Sequence, residues 1–295
     1  MICEIAPAKI NLYLHVGAKR ADGLHDLASL FVFADFGDVL SVEPSDAITL
    51  EITGPFAAPL QREKTSTNLV MRAAETLKQA SGARGGARMT LEKRLPIAAG
   101  VGGGSADAAA ALRALVRLWG LSISEHELRR LAFRLGADVP ACLGAGPVDV
   151  AGAGEVILAG PRLAPFWICL VNPFEAMPTG PIFRSFDDAH PNPPAPAITA
   201  RRGFFSVEDI KRLMASTRND LQPFAVARRG SVQTIIEWLS SRNGALYARM
   251  SGSGATVFAL FTSAAAAARA ATAARGEGWW AASGKVFSAE QIKGV

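Results

Sequence analysis

Four glycines within five residues stand directly before a predicted helix. The segment from Gly100 to Ser105 reads GVGGGS. Glycine lets the backbone approach a ligand closely and adopt positive φ. The start of a helix adds N–H groups without a partner inside the helix, and the positive end of the helix dipole. A flexible turn would contain similar glycines, but a glycine loop that opens a helix is typical of a phosphate-binding site, which is what we expect here.

This loop matches neither of two widespread phosphate motifs. No lysine follows the glycines, as a P-loop requires, and a dinucleotide GxGxxG that began at Gly100 would meet Ser105 instead of its third glycine. The lysine must therefore come from elsewhere, and Lys9 and Lys93 are the candidates. Asp107 in the first helical turn favours the dipole but would repel phosphate unless Mg²⁺ or a lysine lies nearby. An ordinary first-turn acid needs no ligand, so both interpretations stay open.

Residues 9–16 alternate between polar and apolar side chains. Lys9, Asn11, Tyr13 and His15 are polar, and the residues between them are Ile, Leu or Val. A period of two indicates a half-buried strand. At about 3.3 Å per residue, the strand places Lys9 and Asn11 on one face, roughly 7 Å apart. It can therefore present an ammonium and an amide side by side.

Two turns carry further polar residues. In GADVP, from Gly136 to Pro140, Asp138 follows one helix and precedes a proline suited to the next, so the local pattern indicates a helix N-cap. The small-residue turn MSGSGA, residues 250–255, carries little information alone. The four histidines lack metal-ligand spacing and no GxSxG is present, so neither a zinc enzyme nor a serine hydrolase is indicated.

The elements that position these residues are strands mixed with helices without strict alternation, which favours an α+β fold. We predict strands at 9–16, 39–42, 48–52, 89–91, 245–250, 256–261 and near 285–288, and helices at 68–80, 105–119, 124–136, 207–214, 231–241 and 263–274. An apolar stretch covers 27–36, and the proline-rich residues 190–196 predict an irregular loop. A hinge at 160–165 would separate domain 1–160 from domain 161–295, whose last strand could pack back on the first domain.

The length of 295 residues fits one large or two medium domains, and the net charge is +5. The three cysteines are odd in number and widely spaced, which indicates a reducing, cytoplasmic environment. Polar residues interrupt the most lipophilic stretch, 255–274, so we expect no transmembrane helix. Glu4 and Lys9 rule out a signal-peptide layout, and the three cysteines form no CxxC pair. Lysines and arginines are scattered, with Arg201-Arg202 and Arg228-Arg229 as the densest pairs. The charge therefore favours phosphorylated metabolites as partners, rather than nucleic acid or a membrane.

Three of these motifs, in this order, resemble the GHMP superfamily of small-molecule kinases. They are PAKINL at 7–12, LPIAAGVGGGS at 95–105 and MSGSGA at 250–255. Three further segments resemble one member of that superfamily, a kinase of the non-mevalonate isoprenoid pathway. They are RADGLH at 20–25, GADVP at 136–140 and NDL at 219–221. The matches extend from residue 7 to about residue 261.

The resemblance implies a two-domain α+β kinase fold with ATP in the N-terminal half and the active site in the cleft between the halves. It implies ATP as co-substrate, Mg²⁺, and a substrate in which cytidine diphosphate is linked to methylerythritol. The 2-hydroxyl of that substrate would accept the phosphoryl group, and a monomer or weak homodimer is expected. Asp138 would be the base and Lys9 its partner, with Asn11 near the reacting hydroxyl; this outweighs the local interpretation of Asp138 as a mere cap.

The resemblance also implies binding residues. Those that would hold the ATP phosphates are Pro96, Ile97, Ala98, Ala99, Gly100, Val101, Gly102, Gly103, Gly104, Ser105 and Ala106. Lys93 and Asn68 would lie nearer the nucleoside, and His25, Thr179 and Phe183 would contact the cytidine. Leu24 departs from the family, which often has a tyrosine there that stacks on cytosine, so Phe183 should carry most of the stacking.

Two alternatives remain open. Homoserine kinases and mevalonate-type kinases share the implied fold and differ in the alcohol they phosphorylate. A nucleotide-binding regulator that has lost catalysis is a second class, against which the presence of both Lys9 and Asp138 argues.

Overall fold

The computed structural model describes residues 1–144, 146–191, 193–196, 203 and 206–287. Within it the chain divides into two compact units that alternate along the sequence. The first comprises Met1–Ala8, Phe36–Ile97 and Gly102–Gly144, and the second comprises Lys9–Asp35, Ala98–Val101 and the described part of Ala145–Val295. The long strands β1 (Ile2–Lys19) and β2 (His25–Ser45) contribute residues to both.

The first unit is built on a mixed sheet covered by helices. Its other elements are β3 (Ile48–Thr53), α1 (Ala57–Gln61), α2 (Leu69–Ser81), β4 (Gly86–Glu92), α3 (Gly103–Leu118), α4 (Glu125–Leu135) and α5 (Val139–Cys142), with a 3-10 turn at Thr65–Thr67. Strand β4 lies between the C-terminal part of β2, which is antiparallel to it, and β3, which is parallel. Helices α2 and α3 pack together, and buried alanines such as Ala108 and Ala111 give α3 a smooth face for close packing.

The second unit contains a four-stranded antiparallel sheet with helices packed on it. Its elements are β5 (Val148–Gly152), β6 (Val156–Ala159), β7 (Trp167–Asn172), α6 (Thr179–Ala189), α7 (Val207–Ser216), α8 (Gln222–Arg228), α9 (Ser231–Ser240), β8 (Ala245–Met250), β9 (Val257–Phe261), α10 (Ala264–Gly276) and β10 (Trp280–Lys285). The strand order is β10-β7-β9-β8, with α9 against β8 and α10 against β7. The N-terminal part of β2 pairs separately with β5.

Capping residues and glycines in the sequence predicted several helix ends correctly. The Asn68 side chain accepts a hydrogen bond from the Val70 N–H at the start of α2, and Gly82 ends that helix with φ of 68°. Ser124 accepts a hydrogen bond from the Glu127 N–H at the start of α4. These are the side-chain caps and the left-handed glycine that the sequence predicts for such termini, so the helices predicted at 68–80 and 124–136 are confirmed.

Burial of β1 differs from the prediction. The strand is longer than residues 9–16, and Lys9, Asn11 and Tyr13 are buried like the apolar residues between them. The prediction of a half-buried strand is therefore wrong. The polar face is covered by Ser29 and Phe31 of β2, which alternation within β1 alone cannot reveal.

Other boundaries also changed. Residues 27–36 and 39–42 belong to the single strand β2, and β7 and α6 had no prediction. The predicted last strand ends at Lys285, although Val286 still bridges to Ala34; residue 288 and the Arg201-Arg202 pair lie outside the described residues. The described residues of 190–196 form no helix or strand, as predicted. Among the described helices, none combines the length and apolar character needed to cross a bilayer.

Candidate active site

Lys9 and Asn11 form a buried polar pair on β1, and are 4% and 2% exposed. Lys9 Nζ donates a hydrogen bond to Asn11 Oδ1 at 3.0 Å and lies 4.1 Å from the centroid of the Phe31 ring. The face of an aromatic ring attracts a cation, so two neighbours hold the ammonium in place. The spacing along β1 predicted the first contact, and nothing predicted Phe31.

The Asn11 side chain is itself oriented by Ser29. Asn11 Nδ2 donates to Ser29 Oγ at 2.9 Å, and Ser29 Oγ donates to the Tyr13 carbonyl. Because the amide nitrogen is engaged in this way, the amide oxygen faces Lys9. Ser29 lies on the segment of β2 that was predicted only as an apolar stretch, so its role was missed.

The MSGSGA turn connects β1 with the first part of the glycine loop. Ser251 Oγ accepts a hydrogen bond from the Asn11 N–H at 3.2 Å and donates one to the Gly100 carbonyl at 2.9 Å. The Lys9 N–H donates to the Val101 carbonyl at 2.9 Å. Three segments that are far apart in sequence therefore meet here. The turn was uninformative alone because its contacts are with residues about 150 and 240 positions away.

The backbone of this part of the loop requires glycine. Gly100 has φ of 77°, and a Cβ there would lie 2.6 Å from the Ser251 carbonyl oxygen. Ala98 also has positive φ, 52°, which is uncommon for a residue with a side chain. The Ala99 carbonyl accepts from the Thr256 N–H at 3.1 Å. The loop is therefore fixed by its hydrogen bonds and close packing.

Helix α3 begins at Gly103, two residues before the predicted start at Ser105. Gly102 occupies the N-cap position with φ of 64°, and no side chain caps the helix. The Gly102 carbonyl accepts from the Ala106 N–H at 2.9 Å. Backbone N–H groups at an uncapped helix start, preceded by glycines, are an arrangement that can bind anions, and phosphate binding by this segment stays a prediction.

Lys93 is held by two carboxylates in the first unit. Its Nζ donates to Asp107 Oδ2 at 2.6 Å and to Asp38 Oδ2. Burial lowers the pKa of Lys93, but the charges of Asp107 and Asp38 outweigh it and raise the pKa overall. Burial raises the pKa of Asp107 to about 7, against the opposing charge of Lys93. The lysine that Asp107 was expected to need is therefore Lys93.

Asp38 was not predicted from the sequence. It lies between Gly37 and Val39 in β2, three residues after Asp35, and nothing in this local pattern indicates that one of the two acids is buried and paired. Its partner Lys93 is 55 residues away, so only the fold reveals the pair.

Asp138 lies at the N-cap position of α5, but its side chain makes no capping hydrogen bond. The local interpretation as a capping residue is therefore wrong. Pro140 lies in the first turn of α5, as expected. Asn68, by contrast, does cap α2, and its role near a nucleoside stays a prediction.

His25, Phe183 and Thr179 lie around the start of α6 and β2. The His25 and Phe183 ring centroids are 4.8 Å apart, and His25 Nε2 lies 2.6 Å from Asp187 Oδ1. Thr179 Oγ1 lies 2.9 Å from Ser253 Oγ. Residues 179, 183 and 187 share one face of α6 because they are four positions apart. Asp187 was missed because α6 itself was not predicted.

Two family models match the chain. The model of the GHMP kinases N terminal domain matches residues 68–153, and the model described as GHMP kinases C terminal matches residues 200–278. The first of these ranges contains the start of α3 and Asp138.

Relatives are similar over nearly the whole chain. A 4-diphosphocytidyl-2-C-methyl-D-erythritol kinase of Paramagnetospirillum magneticum is 43% identical over 96% of this chain and 98% of its own length. One of Cereibacter sphaeroides is 49% identical over 94% of this chain and 96% of its own. The chain belongs to this kinase family. The resemblance found in the motifs is confirmed, and the chain is a kinase.

Solved structures agree with the fold. A crystal structure of 4-(cytidine 5'-diphospho)-2C-methyl-D-erythritol kinase matches with a TM-score of 0.78 at 32% identity, and covers 97% of this chain and 99% of that one. A homoserine kinase from Cytophaga hutchinsonii matches with a TM-score of 0.70 at 19% identity, and covers 97% and 94% of the two chains. At that identity the second match shows the fold alone. The predicted α+β GHMP kinase fold is confirmed.

Proposed function

We propose that this chain transfers the γ-phosphoryl group of ATP to the 2-hydroxyl of 4-diphosphocytidyl-2-C-methyl-D-erythritol in the non-mevalonate isoprenoid pathway, with ADP as the other product. The observation that carries the proposal is the identity of 43% and 49% to kinases of that name over almost the whole chain. The residue types of the candidate site supply what phosphoryl transfer needs, which is mainly positioning and neutralisation of charge.

The ATP phosphates bind at the glycine loop and the start of α3. The uncapped N–H groups that follow Gly102 face the anions, and the helix dipole adds a favourable potential. Residues 96–101 complete the loop, and the hydrogen bond from Ser251 to Gly100 keeps its shape. We assign Lys93 and Asn68 to the part of the site nearer the nucleoside.

Asp138 accepts the proton of the attacking hydroxyl, with Lys9 as its partner. As the hydroxyl oxygen bonds to the γ-phosphorus, the bond from that phosphorus to the β–γ bridging oxygen breaks and the proton passes to the carboxylate. Asn11 and Phe31 hold the Lys9 ammonium. Asn11 also lies near the reacting hydroxyl.

His25, Thr179 and Phe183 recognise the cytidine. Phe183 supplies an aromatic face, and the His25 ring is oriented by Asp187. Leu24 is 46% exposed and offers apolar contact without an aromatic face. One side of the cytosine is therefore stacked more weakly than on a tyrosine.

Mg²⁺ enters with the nucleotide. Among the described residues there is no group of three His, Cys, Asp or Glu side chains that could hold a metal. Mg²⁺ in phosphoryl-transfer sites takes most of its ligands from substrate phosphates and water, so we assign the ion to the ATP phosphates. Bound there, Mg²⁺ would neutralise charge on the transferring group.

We also propose the domain boundaries, the cellular compartment and the oligomeric state. Residues 1–160 would be the ATP-binding domain and residues 161–295 the second domain, with a hinge at 160–165; the two compact units divide the chain differently, because they alternate along it. The described cysteines are free thiols, which fits a cytoplasmic kinase. A monomer or weak homodimer is proposed from the family resemblance.

The test is a coupled ADP-release assay on the purified chain with four alcohols. These are 4-diphosphocytidyl-2-C-methyl-D-erythritol, homoserine, mevalonate and galactose. We expect kcat/KM for the first to exceed the others by at least ~10³, because a site that hydrogen-bonds a polar substrate rejects compounds lacking those groups. Faster turnover of homoserine or mevalonate would overturn the substrate assignment. ATP binding without turnover of any alcohol would favour the regulator.

A further inference from the structure

Three charged side chains form a buried cluster in the first unit, which we call the Asp38–Lys93–Asp107 cluster. Asp38 comes from β2, Lys93 directly follows β4, and Asp107 lies near the start of α3. Their side chains are at most 4% exposed. The single ammonium of Lys93 binds both carboxylates. Removal of one partner from such a buried group leaves another charge uncompensated, so the three positions depend on each other.

Asp38 also holds the backbone that leads into the glycine loop. Its Oδ1 accepts hydrogen bonds from the Arg94 N–H at 2.6 Å and from the Leu95 N–H at 2.8 Å. Hydrogen bonds to a carboxylate are roughly twice as strong as those between neutral groups. One carboxylate therefore fixes the Lys93 ammonium through Oδ2 and two successive backbone groups through Oδ1.

The cluster lies against the first residue of α3. A Cβ on Gly103 would lie 3.5 Å from both Asp38 Oδ2 and Lys93 Nζ. Asp107 Oδ1 is buried and has no hydrogen-bond partner among the described residues. A buried acceptor without a partner is destabilising. This one lies near the start of α3, where the proposed phosphate-binding N–H groups begin.

We propose that Asp38 is a positioning residue for ATP: it holds Lys93 and the backbone of residues 94–95 against the start of α3 and does not itself contact the nucleotide. The inference rests on the proposed function, because it takes residues 102–106 as part of the ATP site. Loss of the Asp38 charge then loosens Lys93 and weakens ATP binding, while the chemical step on bound substrates is unaffected.

The decisive variant is Asp38→Asn, which keeps an oxygen for the backbone N–H groups and removes the charge that holds Lys93. We expect KM for ATP to rise about tenfold, less than the ~10²-fold that a 1 Å misplacement can cost. The kcat and the KM for the alcohol should stay within twofold, which a general loss of structure would not produce. Should Asp38→Asn fail to fold, as judged by circular dichroism, Asp38→Ser replaces it, and the same KM ratio decides.

Glu4→Gln is the matched control. Glu4 is another buried carboxylate of the first unit, paired with Arg113 and Arg117. This substitution should lower the melting temperature and leave KM for ATP unchanged. A similar rise of KM in both variants would mean that any buried charge loss acts through stability, which overturns the positioning role.

A double-mutant cycle tests whether Asp38 acts through Lys93. Residues coupled in one network show non-additive effects. Lys93→Met should raise KM for ATP, and adding Asp38→Asn should change it by less than twofold. If the effects of Lys93→Met and Asp38→Asn on KM for ATP were fully additive in the double variant, the proposal would be contradicted.

The dependence of KM for ATP on pH supplies a further readout, which Asp38 would not change if its role were merely structural. The charged groups that face Asp107 are Lys93 and Asp38, and the latter raises the pKa of Asp107. Because burial and Asp38 hold the pKa of Asp107 above its usual range, its ionisation on raising the pH should add negative charge at the start of α3 and raise KM for ATP. Asp38→Asn should move that rise to lower pH, and an unmoved profile would contradict the proposal.

Calorimetric titration with ATP separates this inference from the proposed function. Wild-type protein that binds no ATP would overturn both. Wild-type protein that binds ATP, beside an Asp38→Asn variant whose dissociation constant lies within twofold of it, would overturn the positioning role alone. A dissociation constant raised about tenfold by the variant, as in the KM, supports it.

Discussion

The Lys9 ammonium lies 4.1 Å from the centroid of the Phe31 ring. The two residues come from the adjacent strands β1 and β2, and both are buried. Asn11 also holds this ammonium, because its amide oxygen accepts a hydrogen bond from Lys9 Nζ. Asn11 and Phe31 thus both hold the cation that is proposed to assist Asp138.

Phe31→Leu should therefore reduce turnover. Cation–π contacts contribute about 0.5–2 kcal/mol, so we expect kcat to fall about fivefold, with KM for ATP within twofold. Phe258→Leu is the control, since Phe258 is an equally buried aromatic on β9. The two variants are compared at equal fractions of folded protein. Equal losses of kcat would contradict a role of Phe31 in holding the Lys9 ammonium for turnover.

The glycine loop is tested by Gly102→Ala. Gly102 has φ of 64° at the N-cap of α3, and Gly120 after that helix has φ of 60° with open space where a Cβ would lie. An alanine is strained by about 1 kcal/mol or more in either position. Only Gly102→Ala should weaken ATP binding, by about tenfold in a nucleotide titration, because only that backbone is proposed to face phosphate. Unchanged affinity would mean that the phosphates lie elsewhere.

Cytosine stacking is tested by comparing Phe183→Ala with Leu24→Ala. Base–aromatic stacking contributes roughly 1–3 kcal/mol in single-stranded nucleic-acid sites. With ATP saturating, Phe183→Ala should raise KM for the cytidine substrate far more than Leu24→Ala, and Leu24→Tyr should lower it. A KM unchanged by Phe183→Ala would contradict this mode of cytosine binding.

Asp149 gives a prediction about pH and stability. Burial raises the pKa of Asp149 to about 6, although a hydrogen bond from Tyr13 lowers it. The native state then binds more protons than the unfolded state between about pH 4 and 6, so the stability contribution of this group falls as pH rises through that window. Asp149→Asn should raise the free energy of unfolding at pH 7.5 by about 1–2 kcal/mol.

The gain from Asp149→Asn should disappear near pH 4, where the native carboxyl is protonated. Urea unfolding at the two pH values measures it, with the exposed Asp188→Asn as control. A gain of equal size at both pH values would exclude titration of Asp149 as its cause.

The parts of the site that the sequence predicted are those set by local rules. Glycines before a helix and the alternation around Lys9 and Asn11 identify the loop and the strand from neighbouring residues alone. Asp38 and Phe31 could not be found in this way, because their partners lie on other segments: Lys93 directly follows β4, and Lys9 lies on β1. What holds each lysine depends on strand pairing, which local patterns do not specify.

The helices and strands show the same difference between features set by local patterns and features set by tertiary contacts. Helices α2 and α4 were predicted because their caps and end glycines are local signals. Strand β7 was missed since it lies inside its sheet and is apolar on both faces, so it shows no alternation. The half-buried interpretation of β1 failed because burial of its polar face depends on β2.

The kinetics of Asp138→Asn test the central claim most directly. The substitution keeps the size of the side chain and removes its basicity, so we expect folding to be preserved. We expect kcat with 4-diphosphocytidyl-2-C-methyl-D-erythritol to fall by ~10² to 10⁴, while the dissociation constant for ATP stays within about threefold, well below that cost. A folded variant with kcat within about threefold of wild type, far short of general-base loss, would contradict the account.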